Sequence, residues 1–201
     1  QFTVWVMLII GTIIVYQQIQ YAKNRRIGYT RNGLINLGME PEIQKHYDAI
    51  RTELKSSGAI EEMAASNSPL TQVWNTNGGF EWEGKDPNLA VDFPNNRVTY
   101  EFGKTVKWKI KAGRDFSRDF ATDSAAFVIN ESAAKFLAFG VPVGKTLKWN
   151  DRPFTIIGVI NDVMQESPFY PVRPTLYHID TYDDMYNLIL KLSPHGNVNQ
   201  S

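Results

Sequence analysis

Residues 140–163 read GVPVGKTLKWNDRPFTIIGVINDV and contain two strand-like segments on either side of a turn. Residues 146–149 and 154–160 have the composition of β-strands, and Asn150-Asp151 between them suits a tight hairpin turn. Apolar side chains point to both faces of the second strand: Phe154, Ile156 and Ile160 to one, Ile157 and Val159 to the other. The stretch therefore predicts a hairpin whose second strand lies in the interior of a sheet.

Gly144-Lys145-Thr146 in this stretch matches the end of the phosphate-binding pattern G-x-x-x-x-G-K-[ST]. The first glycine of that pattern would fall on position 139, which is Phe139, and Gly140 leaves one residue too few. The residues after Thr146 alternate like a strand, whereas a phosphate loop leads into a helix. The tripeptide therefore predicts a turn before a strand and not a nucleotide site.

Strand-like and helix-like segments are mixed along the rest of the chain, which predicts an α+β fold. Strands are expected at 34–37, 60–65, 108–110, 126–129, 175–179 and 186–192, and helices at 41–57, 100–106 and 131–138. Pro41 suits the start of the first helix and Gly58 its end, and Asn130 and Gly140 are expected to cap the last helix. Residues 67–97 are rich in Asn, Gly and Pro and are interpreted as an irregular β-rich insertion.

Composition narrows the class of protein. The 201 residues hold 21 Lys and Arg against 21 Asp and Glu, so the chain lacks the basic excess that nucleic-acid binding requires. Cysteine is absent, which excludes disulfides, thiolate metal sites and cysteine nucleophiles. Hydrophobic residues make up 43% of the sequence, which indicates a folded chain and not a disordered one.

The N-terminal residues 1–22 carry no charged side chain, and residues 2–16 are almost purely apolar. A bilayer is crossed by about 20 such residues, and the basic start and cleavage site of a signal peptide are missing. The segment predicts the later part of a transmembrane helix that continues as a polar stalk; a buried helix of a soluble domain is the alternative. The positive-inside rule alone would place the basic residues that follow in the cytoplasm: Lys23, Arg25, Arg26 and Arg31.

Two sets of polar residues are compatible with a metal site, but their spacing argues against it. Asp115, Asp119 and Asp123 lie four residues apart without the glycine and bidentate glutamate of a calcium loop, which favours a solvated loop. The three histidines lack the spacing of metal ligands: His46, His178 and His195. No serine occupies a G-x-S-x-G motif. We therefore expect no metal, no cofactor and no enzyme activity.

Carboxylates and aromatic rings are interleaved in the irregular segment. Glu81, Glu83 and Asp86 lie close in sequence to Trp74, Phe80 and Trp82. Paired carboxylates beside stacking rings occur in sugar-binding clefts and glycosidases. Aromatic residues in a β-rich insertion more often pack a small core, and this is the interpretation that we favour.

A series of short motifs resembles the extracytoplasmic core domain of MacB-like and FtsX-like ABC transporter permeases. The motifs lie at 21–25, 82–87, 113–117, 126–130 followed by Glu131 and Ala134, 142–146 and 154–162. The signature residues among them are expected to be structural: Gly113, Arg114, Asp115, Phe116, Pro142, Gly144, Lys145, Gly158, Val159 and Asp162. Each motif alone is weak, but their order along nearly the whole chain is specific to this family.

The resemblance implies the end of a transmembrane helix and a stalk at 1–28, and a periplasmic α+β core domain at 29–201, truncated at its C-terminus. The domain would carry the insertion at 67–97 and lie outside the bacterial inner membrane. The resemblance also implies a permease dimer, a periplasmic adaptor and a separate cytoplasmic ABC ATPase subunit that uses the ATP.

Permeases of this kind are expected to couple ATP hydrolysis to periplasmic movement through their stalk helices. The substrate would be exported from, or extracted within, the cell envelope: a peptide, an antibiotic or a lipoprotein. Trp74, Phe80 and Trp82 are the candidate surface for this substrate or for a periplasmic partner. The alternative function is a membrane-anchored extracytoplasmic module that binds or senses a ligand.

Overall fold

The computed structural model describes residues 2–25 and 27–194. Its helices are α1 Phe2–Asn24, α2 Pro41–Lys45, α3 Tyr47–Ser56, α4 Phe102–Val106 and α5 Glu131–Phe136. Its strands are β1 Leu34–Gly38, β2 Ile60–Ser66, β3 Thr76–Asn77, β4 Phe80–Trp82, β5 Phe93–Val98, β6 Ile110–Gly113, β7 Ala126–Asn130, β8 Thr146–Trp149, β9 Arg152–Ile160, β10 Leu176–Ile179 and β11 Asn187–Leu192. Short 3-10 helices occupy Ala121–Ala125 and Tyr182–Asp184.

The strands of the described residues form one mixed sheet in the order β1-β11-β2-β5-β10-β7-β9-β8-β4, with β3 paired to β5 and β6 to β9. The β5–β10 and β7–β9 pairs are parallel, and the hairpin pair β8–β9 is antiparallel. Together with the five helices, this arrangement confirms the α+β fold and the interior position of the hairpin's second strand. The segment 67–97 contributes β3, β4 and β5 to the sheet.

The two faces of the sheet are buried under different helices. On one face, Val128, Tyr177 and Ile189 pack with Phe102 and Val106 of α4. The opposite face is covered by α5 over β7 and β9, and by α3 over β2. Because side chains alternate along a strand, the central strands are apolar on both sides, as the sequence of β9 predicts.

The register of β9 differs from simple alternation. Phe154 and Ile156 pack in one cluster with Val159, whereas Ile157 and Ile160 pack on the other face. A bulge lies between the pairs Phe127–Ile156 and Val128–Gly158, so one extra residue of β9 shifts the alternation. The predicted facing of Val159 and Ile160 is therefore wrong.

Several predicted boundaries also shift. The helix expected from Pro41 is broken at His46, which has φ −111° and separates α2 from α3. α5 ends two residues earlier than expected. The left-handed residue after the helix is Ala138, with φ 54°, and not Gly140 as the sequence predicts. The strand predicted at 108–110 begins at Ile110 as β6. His195 and the end of the predicted terminal turn lie outside the described residues.

The sheet has a proximal end, where the chain arrives from α1, and a distal end. Leu34 pairs with Lys191 and Ile60 with Leu192, so β1 and β2 begin at the end where β11 finishes. β5 runs antiparallel to β2 and β10 runs parallel to β5, so the start of β10 and the end of β9 lie at the opposite, proximal end, beside the Ile27–Met164 hydrogen bond. The turn at Asn150-Asp151 and the segment after Ile179 consequently lie at the distal end.

Asn130 caps α5 as predicted, and it also fixes the chain that leads into β10. Its Oδ1 accepts hydrogen bonds from the amides of Ala133 and Thr175, both at 2.9 Å, and its Nδ2 donates to the Arg173 carbonyl oxygen at 2.9 Å. The side chain is completely buried. Each hydrogen bond that is lost would therefore leave a polar backbone atom with no water to replace it.

Asn130→Ala should lower the free energy of unfolding by about 2–4 kcal/mol, because it removes a helix cap and leaves a buried amide unpaired. Urea denaturation of the detergent-solubilised protein would measure the change. Asn88→Ala is the matched control, because Asn88 is exposed, and it should change stability by less than about 0.5 kcal/mol. Equal losses in the two variants would contradict the capping role.

Candidate functional site

The segment between α1 and β1, residues 25–33, is termed the junction because it joins the helix to the sheet. The Ile27 carbonyl oxygen accepts a hydrogen bond from the Met164 amide at 3.0 Å, and the Thr30 amide donates to the Val106 carbonyl oxygen at 3.0 Å. Tyr29 packs against the apolar cluster beneath α4. The junction is therefore fixed to the domain by backbone bonds on two sides.

Gly28 allows the closest contact of the junction. It has φ +83°, and a Cβ at this position would lie closer than 3.0 Å to the Asp162 carbonyl oxygen. The Asp162 carboxylate in turn accepts hydrogen bonds from the amide and the hydroxyl of Ser132, both at 2.8 Å, in the first turn of α5. A set of contacts thus links Ile27 and Gly28 through Asp162 to α5.

Gly113, Arg114 and Gly158 form a second close crossing of two backbones. A Cβ on Gly158 would clash with the Arg114 carbonyl oxygen, and one on Gly113 would clash with the Ile157 carbonyl oxygen. The Arg114 amide donates to that same Ile157 oxygen at 3.0 Å. The glycines of the family signature therefore allow β6 to pack against the bulge of β9, next to the buried Val159.

Arg114 also holds Asp123, which corrects the expectation of a solvated aspartate. The two carboxylate oxygens of Asp123 accept hydrogen bonds from the Arg114 guanidinium at 2.7 and 2.6 Å, and one also accepts from the Ser117 amide at 2.9 Å. The Asp123 side chain is fully buried. Asp119 accepts instead from the Ser117 hydroxyl at 2.9 Å. In the described part of the chain, no three His, Asp or Glu residues are grouped to hold a metal ion.

Asp115 organises the loop that follows β6. Its carboxylate accepts hydrogen bonds from the Trp108 indole at 3.0 Å and from the Phe116 amide at 2.8 Å. Burial raises the pKa of Asp115 to about 6 despite these bonds. Phe116 is buried in the cluster beneath α4, so both signature residues occupy packing positions.

Pro142, Gly144 and Lys145 form the turn that leads into β8. The Gly144 amide donates to the Ile156 carbonyl oxygen, and the Ile156 amide donates to the Lys145 carbonyl oxygen, both at 2.8 Å. The Lys145 amide donates to the Pro142 carbonyl oxygen at 3.0 Å. Because a strand follows Lys145 and not a helix, this turn has none of the phosphate-binding geometry.

The three aromatic residues predicted as a surface do not lie in equivalent environments. Phe80 is fully buried and stacks on Trp149 with centroids 5.6 Å apart, so it is not available to a partner. Trp82 is half-buried against Phe93. Trp74 is 54% exposed. Two of the carboxylates considered for a sugar-binding cleft are paired with lysines: Glu81 with Lys85 and Glu83 with Lys145.

A groove at the distal end, termed the distal groove, was not predicted from the sequence. Its volume is about 440 Å³, and it is lined by Tyr100, Trp149, Arg152, His178, Asp180 and Tyr182, among others. His178 Nδ1 lies 2.9 Å from Asn95 Oδ1, and burial lowers the pKa of the imidazole to about 4. The lining residues come from separate elements, so only the pairing of the strands brings them together.

α1 is the remaining functional element. The segment Phe2–Ala22 is long and apolar enough to cross a membrane, and none of its apolar window is buried inside the domain. A buried core helix would be covered by the sheet, so that alternative does not describe α1. The helix, the junction and the mixed sheet together define an α+β domain carried on an apolar anchor.

The family follows from the comparison with known proteins. A model of the MacB-like periplasmic core domain family matches residues 3–200, and the chain belongs to this family. It is accordingly the periplasmic core domain of a MacB-like ABC transporter permease, and membership of this family implies a membrane-anchored protein with an ATPase partner. No relative was found among curated proteins.

Two solved structures have the same fold. The periplasmic region of MacB from Actinobacillus actinomycetemcomitans is 18% identical, with a TM-score of 0.55 over 89% of this chain and 82% of that one. The extracellular domain of the noncanonic ABC-type transporter YknZ from Gram-positive bacteria is 16% identical, with a TM-score of 0.52 over 81% of this chain and 84% of that one.

Gly28→Ala should destabilise the domain more than Gly84→Ala, although both glycines have nearly the same φ, +83° and +84°. A left-handed alanine costs roughly 1–2 kcal/mol at either position. Only the alanine at 28 also meets a backbone, whereas position 84 has open space, so we expect about 1–3 kcal/mol of additional loss. Urea denaturation of both variants would measure this difference, and equal losses would contradict the close contact at the junction.

Acidification should destabilise the protein through His178. Its folded pKa of about 4 lies below the ordinary value of 6.5, so between these values the unfolded chain binds a proton that the folded chain does not. The free energy of unfolding therefore falls as the pH falls from 6.5 towards 4, by roughly 3 kcal/mol at most. His178→Gln should remove this loss, measured as the change in urea midpoint between pH 7 and pH 4.5.

The pH dependence of stability must be compared between His178→Gln and the wild type, because protonation of Asp115 changes the stability in the opposite direction. The folded pKa of Asp115, about 6, exceeds the ordinary value of 3.8. Between these values the folded chain binds a proton that the unfolded chain does not, so the free energy of unfolding rises as the pH falls through 6. His46→Gln is the control, since His46 is exposed, and it should follow the wild type. An unchanged pH dependence in His178→Gln would contradict the effect of burial.

Proposed function

We propose that this domain moves in the periplasm when a separate cytoplasmic subunit hydrolyses ATP, and that α1 transmits the movement. The supporting observation is the set of contacts that joins Ile27 and Gly28, close in sequence to the end of α1, through Asp162 to α5. α1 has 23 helical residues without a proline, which corresponds to about 35 Å. This length exceeds the ~30 Å hydrocarbon thickness of a bilayer.

A transmitted displacement requires that the helix cannot turn independently of the sheet. The Ile27–Met164 and Thr30–Val106 hydrogen bonds lie on either side of Gly28, and Gly28 packs so closely on the Asp162 carbonyl that an added Cβ would clash with it. Packed backbone transmits strain because interiors have low compressibility. A movement of α1 would therefore reach Asp162 and α5 with little loss.

The substrate and the partners belong to the same proposal. The parent protein would act as a dimer in the bacterial inner membrane and export or extract an envelope substrate: a peptide, an antibiotic or a lipoprotein. The distal groove, with its aromatic lining and Arg152, lies opposite the end that α1 joins and would be the contact surface for a periplasmic adaptor. Trp74 and Trp82 stay as candidate substrate contacts. Catalysis of ATP hydrolysis belongs to the ATPase subunit.

The coupling can be tested by adding flexible residues to the junction. Insertion of Gly-Ser-Gly-Ser after Arg25 in the full-length protein should leave assembly and ATP hydrolysis intact and reduce transport to background, because a flexible linker does not carry displacement. The same insertion after Gly84, which lies in an open turn, is the control and should preserve transport. Wild-type transport with the junction insertion would refute coupling through α1.

The alternative, an anchored binding or sensing module, predicts a different composition of the purified protein. Purification of the full-length protein from its membrane, followed by mass spectrometry, should yield a stoichiometric ATPase subunit whose activity depends on this chain. A protein that purifies alone, without ATPase activity, would instead support the binding module and assign the distal groove to its ligand.

A further inference from the structure

A loop between β9 and β10 presents two aromatic rings to the surroundings. Phe169 is 59% exposed and Tyr170 is 70% exposed. The Phe169 amide donates to the Ser167 hydroxyl and the Tyr170 amide to the Ser167 carbonyl oxygen, both at 3.3 Å. Residues 166–171, termed the aromatic loop, are therefore a compact turn that holds two large rings outward, where the domain itself gives them little burial.

Both ends of the aromatic loop are fixed at the proximal end of the sheet. Before the loop, the Met164 amide donates to the Ile27 carbonyl oxygen, directly beside the junction. After the loop, the carbonyl oxygen of Arg173 accepts from the buried Asn130 side chain. The loop consequently projects from the same end of the domain as α1 and cannot move far from it.

Phe169 lies beside the last turns of the apolar helix. A groove of about 470 Å³ is lined by Ile14, Gln17, Gln18, Tyr21 and Phe169. Ile14 and Tyr21 each lie three and four positions from Gln17 and Gln18, so the four residues share one helical face. They cover the last ~10 Å of an apolar segment that ends at Ala22. Phe169 is thus level with the place where α1 leaves the hydrocarbon.

We propose that the aromatic loop inserts into the headgroup region of the same bilayer that α1 crosses and forms a second membrane contact of the domain. Aromatic residues are enriched at this depth because their rings prefer the boundary between hydrocarbon and water. The occupant of the exposed surface is lipid, since the surface is continuous with the membrane-spanning helix. The proposal rests on α1 crossing the bilayer and is independent of how ATP hydrolysis is coupled.

Site-directed spin labels can test the depth of the loop, because the chain has no cysteine of its own. Phe169→Cys and Tyr170→Cys would be labelled separately in the full-length protein, with any cysteine elsewhere replaced, in vesicles of phosphatidylethanolamine and phosphatidylglycerol. Two further labels serve as references: Ile9→Cys within α1 and Asp183→Cys, exposed at the distal end. Collision with oxygen reports lipid, and collision with a water-soluble nickel chelate reports solvent.

We expect both loop labels to collide with oxygen and to lose most of the nickel collision that the Asp183 label shows. Nickel collision equal to that at Asp183 would place the loop in water and overturn the proposal. Shielding from both reagents would also overturn it, because the rings would then be covered by protein, either a further helix or a second copy. A solvent-exposed Ile9 label would overturn the membrane position of α1 itself, which distinguishes failure of the premise from failure of the loop.

Discussion

The close contact between Gly28 and the Asp162 carbonyl is the constraint on which the arrangement of the domain depends. A side chain at position 28 would separate the junction from the segment after β9, and the Ile27–Met164 hydrogen bond beside it would then be lost. At the opposite end of the sheet, the Leu192 amide donates to the Gly33 carbonyl oxygen at 2.8 Å. The segment from Ile27 to Gly33 is thus fixed at both of its ends, once against the residues after β9 and once where β11 finishes.

Charged groups act together with the apolar cluster around Tyr47 to hold α3 and the segment after Ile179, termed the distal segment. Arg118 donates to Glu101 at 2.6 Å, and to Asp48 of α3 and the Tyr182 hydroxyl at 3.1 Å each. Burial alone would raise the pKa of Glu62, but hydrogen bonds from Arg51 and Lys55 hold that pKa below its ordinary value. Removing both partners of such a buried group would leave an uncompensated charge, which costs about 3–5 kcal/mol. The network therefore fixes α3 against β2 and the distal segment.

Local sequence rules were sufficient for features made by neighbouring residues. The hairpin turn and the Asn130 cap follow from residue type, because each is formed within a few positions. The bulge of β9, the burial of Phe80 and the pairing of Asp123 with Arg114 depend on segments that meet only after the sheet forms. Spacing in the sequence carries no information about those distant neighbours, so the sequence predicts Asp123 in solvent and Phe80 on the surface. The distal groove was missed for the same reason, since it joins residues from across the fold.

The contacts of several signature residues are internal to the fold. Gly113 and Gly158 permit a backbone crossing, Arg114 neutralises a buried aspartate, and Asp162 joins the junction to α5. None of these roles presents a side chain to a substrate, so two domains could share these four residues and bind different molecules. The signature thus fits a shared way of transmitting movement. Specificity would then reside in exposed positions outside it, namely Trp74, the distal groove and the aromatic loop.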